Sequence, residues 1–179
     1  MQRIVGLLGA KKISKRLPGK AWRRLQGKPM FEHNVRKGVE IFDKMYVSSD
    51  DTILLNRSEQ MGAIPILRTN PKLMDAPNIS YYKHALQFMS NPDAIVAIQV
   101  NSPTVNKELI TKVKKMMLMF NEIKTCDLYG ADYGSIWAMT IDRLNNYGDP
   151  YNAKPDVWVV DTSVDIHTAE DLYKAKLQL

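Results

Sequence analysis

The sequence predicts an α/β fold with a mostly parallel sheet, on three observations. Short apolar runs of strand length alternate along the chain with segments whose apolar residues recur at helical spacing. The run from Ala94 to Val100 is apolar almost without a break, as befits a strand buried in a parallel sheet. No internal repeat, low-complexity tract or linker interrupts the alternation, so residues 1–179 read as a single domain.

Ile4 to Leu8 is the first strand, followed by a polar loop containing Pro18 and Gly19. Phe31, Val35, Val39 and Phe42 then recur at helical spacing. Met45-Tyr46-Val47 is a brief strand that ends at Ser48-Ser49-Asp50-Asp51. Ile53 to Met61 fits a second helix, with Gly62 as its C-terminal cap. Ile64 to Leu67 is a third strand, and Pro65 within it points to a sheet edge or a strand end. After the irregular stretch Thr69 to Asn78, a helix is expected over Tyr81 to Met89. The buried strand Ala94 to Val100 follows. Leu109, Ile110, Val113, Met116, Met117 and Phe120 share one helical face, where the methionines serve as core filler. Ile136 to Ile141 and Val157 to Val160 add two strands around the loop Asn145 to Asp156. Thr168 caps a last helix, with Asp171 at the third helical position. In such sheets ligands sit beyond the carboxyl ends of the strands, so the loops after Leu8, Val47, Leu67, Val100 and Val160 are where function is expected.

Composition narrows the classes. With 45% apolar and 25% charged residues, the 179-residue chain has the make-up of an ordinary soluble globular domain. One cysteine, Cys126, excludes an intrachain disulfide and a cysteine-based zinc site. No apolar run reaches the length of a membrane span, and Ile4 to Leu8 is too short and too lysine-bound to be the core of a signal peptide. A soluble, cytoplasmic protein with no membrane contact is the expectation.

The charge is unevenly distributed. Nine of the 25 basic residues lie in residues 1–28, where there is no acid. Over the remainder the 16 other basic residues are outnumbered by 19 acidic ones. One basic segment on a mildly acidic body points to a discrete anion site more than to a nucleic-acid coat. A nucleic-acid patch with Trp22 as a stacking aromatic is the alternative. The segment Gly9-Ala10-Lys11-Lys12-Ile13-Ser14-Lys15-Arg16-Leu17-Pro18-Gly19-Lys20 follows the first strand, and cations with free backbone amides at a strand end form a cradle for phosphates. It has neither the Walker spacing nor the third glycine of a dinucleotide fingerprint. A triphosphate would satisfy Lys11, Lys15 and Lys20 together.

Four collinear stretches carry a resemblance to a known family. Ser14 to Lys20 with Gly27-Lys28-Pro29-Met30, Val47 to Asp51, Ile98 to Pro103, and Val164 to Leu172 resemble, in order, the signatures of the sugar-acid cytidylyltransferases. These are the acylneuraminate and 3-deoxy-manno-octulosonate enzymes that make CMP-activated sugars. The resemblance implies the three-layer, Rossmann-like nucleotide-diphospho-sugar transferase fold. It also implies attack of a sugar-acid hydroxyl on the α-phosphate of CTP, with release of pyrophosphate. By position, the nucleotide would be held by Leu8, Ala10, Lys11, Ser14, Lys15, Lys20, Arg68 and Gln99. Lys11, Lys20 and Gln99 would act on the reacting groups, Gln99 on the sugar side. Asp165 and His167 stand where the family has a carboxylate pair for Mg²⁺.

Three departures shape the expectations. Lys12-Ile13 replaces a Gly-Gly, and Ala21 replaces an asparagine associated with the base. His167 replaces a carboxylate, which weakens Mg²⁺ and favours Mn²⁺. The family also carries some tens more residues between the helix near Phe120 and the strand at Ile136, a stretch that commonly supplies dimer contacts. A monomer, or a dimer through another surface, is therefore expected. The rival function is a nucleotide- or sugar-binding relative that has lost its chemistry.

Overall fold

Residues 2–177 are described, in a computed structural model. A seven-stranded sheet forms the middle layer, in the order β5-β4-β1-β6-β8-β7-β9. In chain order its strands are β1 (Ile4–Gly9), β4 (Met45–Ser49), β5 (Ile64–Leu67), β6 (Ala94–Gln99), β7 (Glu122–Cys126), β8 (Asp132–Thr140) and β9 (Val157–Val160). A two-residue hairpin, β2 (Arg24–Leu25) with β3 (Lys28–Pro29), stands apart from it. The helices are α1 (Met30–Ile41), α2 (Thr52–Gln60), α3 (Asn78–Leu86), α4 (Lys107–Met116), α5 (Ile141–Asn145) and α6 (Ala169–Leu177).

Alternation along the central strands explains the three layers. In β1, Ile4 and Leu8 enter the core shared with Phe31 and Val35 of α1, Leu54 of α2 and Val113 of α4. Val5 and Leu7 enter the opposite core, with Ile79 and Tyr82 of α3 and Leu144 of α5. A strand covered on both faces has no polar side to show, hence its unbroken apolar run. A third, smaller core joins Leu17, Leu25 and Met30 to Ile166 and to Ala175 of α6. It fastens the basic loop to the last helix.

Pro65 lies on β5, which is an edge strand, where a missing N–H costs no ladder bond. Gly62 follows α2 with φ +95°, a left-handed conformation that suits glycine. Thr168 Oγ1 accepts from the Asp171 amide at 3.2 Å while Asp171 Oδ2 accepts from the Thr168 amide at 2.8 Å, the reciprocal box expected of that start.

Four differences from the sequence reading have physical causes. β8 is antiparallel to both β6 and β7, because the Asp127–Ala131 turn is too short for a crossover. The strand expected over Ile136 to Ile141 begins earlier, at Asp132. β7 was unexpected: its sequence Glu-Ile-Lys-Thr-Cys carries two charges, yet all five residues are buried. Glu122 is satisfied there by Trp137 Nε1 at 2.8 Å, Arg143 Nε at 2.8 Å and the Tyr147 hydroxyl at 2.6 Å, while Lys124 pairs with Asp132. Finally, α3 runs Asn78–Leu86, beginning just after Pro77, three residues before the expected Tyr81, and ending three before Met89. Among the described residues no helix is long and apolar enough to cross a membrane.

Candidate active site

The carboxyl ends of β1, β5 and β6 open into one cavity of about 440 Å³. Gly9 and Ala10 continue β1 into its floor, Arg68 follows β5, and Gln99 ends β6. The tyrosines of α3 close this end. A Cβ on Gly9 would stand 2.4 Å from the Tyr81 ring, so only glycine lets that ring lie against the strand. Arg68 is 5% exposed, donates through Nη2 to the Ala10 carbonyl and lies 5.1 Å from the centre of the Tyr81 ring. Its Nε is buried with no partner among the described residues, an orphan donor beside a cavity. Gln99 Nε2 donates to the Tyr82 hydroxyl at 2.9 Å, and its carbonyl accepts from Asn34 of α1 at 2.9 Å.

The opposite end is cationic. Lys11, Arg16 and Lys20 line the cavity, with Ser14 between them. Gly19, at φ +65°, turns the chain so that the short 3₁₀ turn Lys20–Trp22 begins facing inward. Lys11 Nζ donates to the Met74 carbonyl at 2.9 Å and to Asp75 Oδ1 at 3.1 Å, and Lys15 Nζ donates to Asp75 Oδ2 at 3.0 Å. Those two lysines hold the Asp75 carboxyl below the usual carboxylate range, Lys15 more than Lys11. Burial, then the charge of Arg16, hold Lys20 below the ordinary lysine value, against the pull of Asp165 and Asp171.

Lys20 begins a hydrogen-bonded chain. Its Nζ lies 3.2 Å from His167 Nδ1, and an ammonium has only donors, so Nδ1 accepts. His167 Nε2 therefore carries the proton and donates to Asp165 Oδ2 at 2.9 Å. Asp165 Oδ1 accepts from Asn101, just beyond β6. Among the described residues no group of three or more histidine, cysteine or acidic side chains could hold a metal ion. Asp165 and His167 make only a pair, so a cation held there would have to bring most of its own ligands, such as phosphate oxygens and water. His167 offers a lone pair at Nδ1 only when Lys20 turns away.

The structure brings most of the expected residues together. Ala10, Lys11, Ser14, Lys20, Arg68, Gln99 and His167 line the cavity. Lys15 sits at the rim, and Asp165 stands behind His167. Leu8 does not face the cavity; its side chain is wholly buried in the core. Trp22 is no free stacking platform: Nε1 donates to Asp51 at 2.8 Å and its ring meets Phe31 edge-on. Sequence reasoning missed Arg16, Asp75, Tyr81 and Asn101. Arg16 and Asn101 lay inside motifs already singled out, but nothing local distinguishes Asp75 or Tyr81.

Comparison with known proteins matches this architecture. A family model described as "Cytidylyltransferase" covers residues 5–146. A 3-deoxy-manno-octulosonate cytidylyltransferase of Anaeromyxobacter sp. (strain Fw109-5) is 28% identical over 119 residues, 65% of this chain and 48% of that one. The match thus spans about half the length of that relative. A CMP-N,N'-diacetyllegionaminic acid synthase of Legionella pneumophila is 24% identical over 190 residues, covering 97% of this chain and 82% of its own. The solved structure of a CMP:2-keto-3-deoxy-manno-octonic acid synthetase complexed with CTP superposes with a TM-score of 0.77 at 16% identity, covering 98% of each chain.

Proposed function

Because the chain belongs to the cytidylyltransferase family, we propose that it transfers the cytidylyl group of CTP to a sugar acid. A hydroxyl oxygen of the acid bonds to the α-phosphorus, the bond from that phosphorus to the bridging oxygen breaks, and pyrophosphate leaves. The hydroxyl proton goes to water. The observation that carries this reading is the convergence of Lys11, Arg16 and Lys20 on a single cavity at the carboxyl ends of parallel strands.

The residues divide the work by position. Lys11, Lys15 and Lys20 take the phosphates, with Arg16 beside them, neutralising charge that moves onto the departing pyrophosphate. Ser14 offers a further hydroxyl to the same oxygens. Arg68, Ala10 and the main chain at Leu8 form the nucleoside end, where the orphan Nε of Arg68 is a ready donor. Ala21 leaves the base without the asparagine of its relatives, so cytosine preference falls to this end. Gln99 faces the acceptor side. A divalent cation, Mg²⁺ or Mn²⁺, escorts the triphosphate and supplies charge neutralisation when bound. Asp165 would hold it, joined by His167 if Lys20 is drawn to phosphate and the imidazole proton moves from Nε2 to Nδ1, which would free Nε2 beside Asp165 Oδ2.

Pyrophosphate release, screened over the four nucleoside triphosphates against sugar acids and sugar phosphates, tests the reading. Release with CTP and a sugar acid is expected. Tight CTP binding with no release from any acceptor would identify instead a binding relative without chemistry. For the metal, turnover should fall in Asp165→Asn, be higher with Mn²⁺ than Mg²⁺, and move toward Mg²⁺ in His167→Asp. Undiminished turnover of Asp165→Asn, or full activity in excess chelator, would remove the cation from this site.

A further inference from the structure

A second cavity, of about 250 Å³, adjoins the first. Asn78, Gln99 and Gly134 line both. Gly134 has no side chain to separate them, and a Cβ there would meet nothing nearer than Asp165 Oδ2 at 3.9 Å. The second cavity also reaches Lys124 of β7, Asp132 of β8 and the Trp137 ring.

Lys124 is an unusual residue for a sheet interior. It is 7% exposed, and its ammonium lies 4.4 Å from the centre of the Trp137 ring and 5.6 Å from that of Trp158. Trp137 is itself fixed, because its Nε1 donates to the fully buried Glu122. The ammonium has three donors and, among the described residues, a single oxygen partner, Asp132, whose side chain is 53% exposed. A buried cation thus meets a counter-ion free to swing into solvent, beside an open cavity that leads to the proposed triphosphate site. Exchange of one carboxylate for another at Lys124 leaves the local charge unchanged, so it avoids the cost of burying a new unpaired charge.

We propose that Lys124 is a specificity-determining residue, which takes the carboxylate of the acceptor in this second cavity while Asp132 withdraws. This rests on the cytidylyltransfer reading and adds to it the group that selects an acidic acceptor. A neutral sugar offers Lys124 nothing to replace Asp132, and the pair stays closed against it.

The test compares 3-deoxy-manno-octulosonate and N-acetylneuraminate with their methyl esters, which keep the sugar and remove the charge. Each is titrated into the CTP-saturated protein by calorimetry in excess chelator, with absence of pyrophosphate release checked, and CTP binding alone is measured first under the same conditions. At least one acid should bind about tenfold or more tightly than its ester, the scale of a desolvated charge-assisted contact. Lys124→Met should abolish that preference with CTP affinity unchanged, and Lys124→Arg should restore it in part. Asp132→Asn, a near-isosteric change at a half-exposed side chain, should strengthen binding of the acid and leave the ester unaffected, with circular dichroism confirming that the variant is folded. Equal binding of acid and ester, an undiminished preference in Lys124→Met, or no binding of either acid to a protein that does bind CTP would each overturn the proposal. Failure to bind CTP at all would instead strike the reading beneath it.

Discussion

Asp75 already does for Lys11 and Lys15 what a phosphate would do, offering one oxygen to each. Three charged groups at a cavity mouth satisfy one another until a more highly charged competitor arrives, and a triphosphate is such a competitor. Asp75→Asn should therefore strengthen CTP binding a few-fold, with a smaller gain at high salt because all three groups reach solvent. Lys15→Ala should weaken it by about 1–3 kcal/mol, the scale of a charge-assisted contact. Arg23→Ala is the control, since its Nε is spent on the Pro18 carbonyl, and it should leave CTP affinity near wild type. Calorimetry on the three variants decides; equal affinity for Lys15→Ala and Arg23→Ala would remove the cradle. The lysines of this end were legible in the sequence because they crowd an acid-free segment. Asp75 was not, since its partners lie 60 and 64 positions away and hydrogen bonding across such a span leaves no local pattern.

Between β6 and α4 the chain is tied to α1 by two side chains, Asn34 buried and Lys37 half-buried. Asn34 donates to the carbonyls of Gln99 and Ser102, while Lys37 donates to those of Pro103 and Val105 at 2.6 Å each. The loop bearing Gln99 and Asn101 is thereby held by a helix on the far side of the sheet from α3. Burial pushes Lys37 from 10.5 down to about 8, with Asp161 opposing and Lys107 assisting the shift. Between those two values the unfolded chain keeps a proton that the folded one has lost, so this residue makes stability rise with pH over that window. Urea titrations from pH 7.5 to 10 should show the rise in wild type relative to Lys37→Met, and parallel pH profiles for the two proteins would contradict it. Elements whose burial pattern is purely apolar, such as β1 and β6, were readable from sequence. β7 escaped because its polar side chains find partners on β8, α5 and the segment following it, and tertiary pairing of that kind leaves no mark on the local sequence.

Across the whole molecule, the mostly parallel order and the location of the site follow from the alternation of strands and helices, whereas the reversed strand β8 does not. That reversal keeps the connection after β7 to the tight turn around Asp127 to Gly130, where the family resemblance implied a longer segment. Light scattering should accordingly give the mass of one chain, or of a dimer formed through another surface, and a structure of a dimer interlocked through this segment would refute the argument from the short turn. The same global view gives the Lys20–His167 contact a meaning in time. The two residues are 147 positions apart, and Leu17, Leu25 and Met30 of the basic segment pack on Ile166 and Ala175. On a ribosome the proposed phosphate loop emerges well before the wall against which it sets. Contacts spanning so much chain are late to close. Nucleotide capture should therefore wait for that wall, appearing only after the central sheet has assembled.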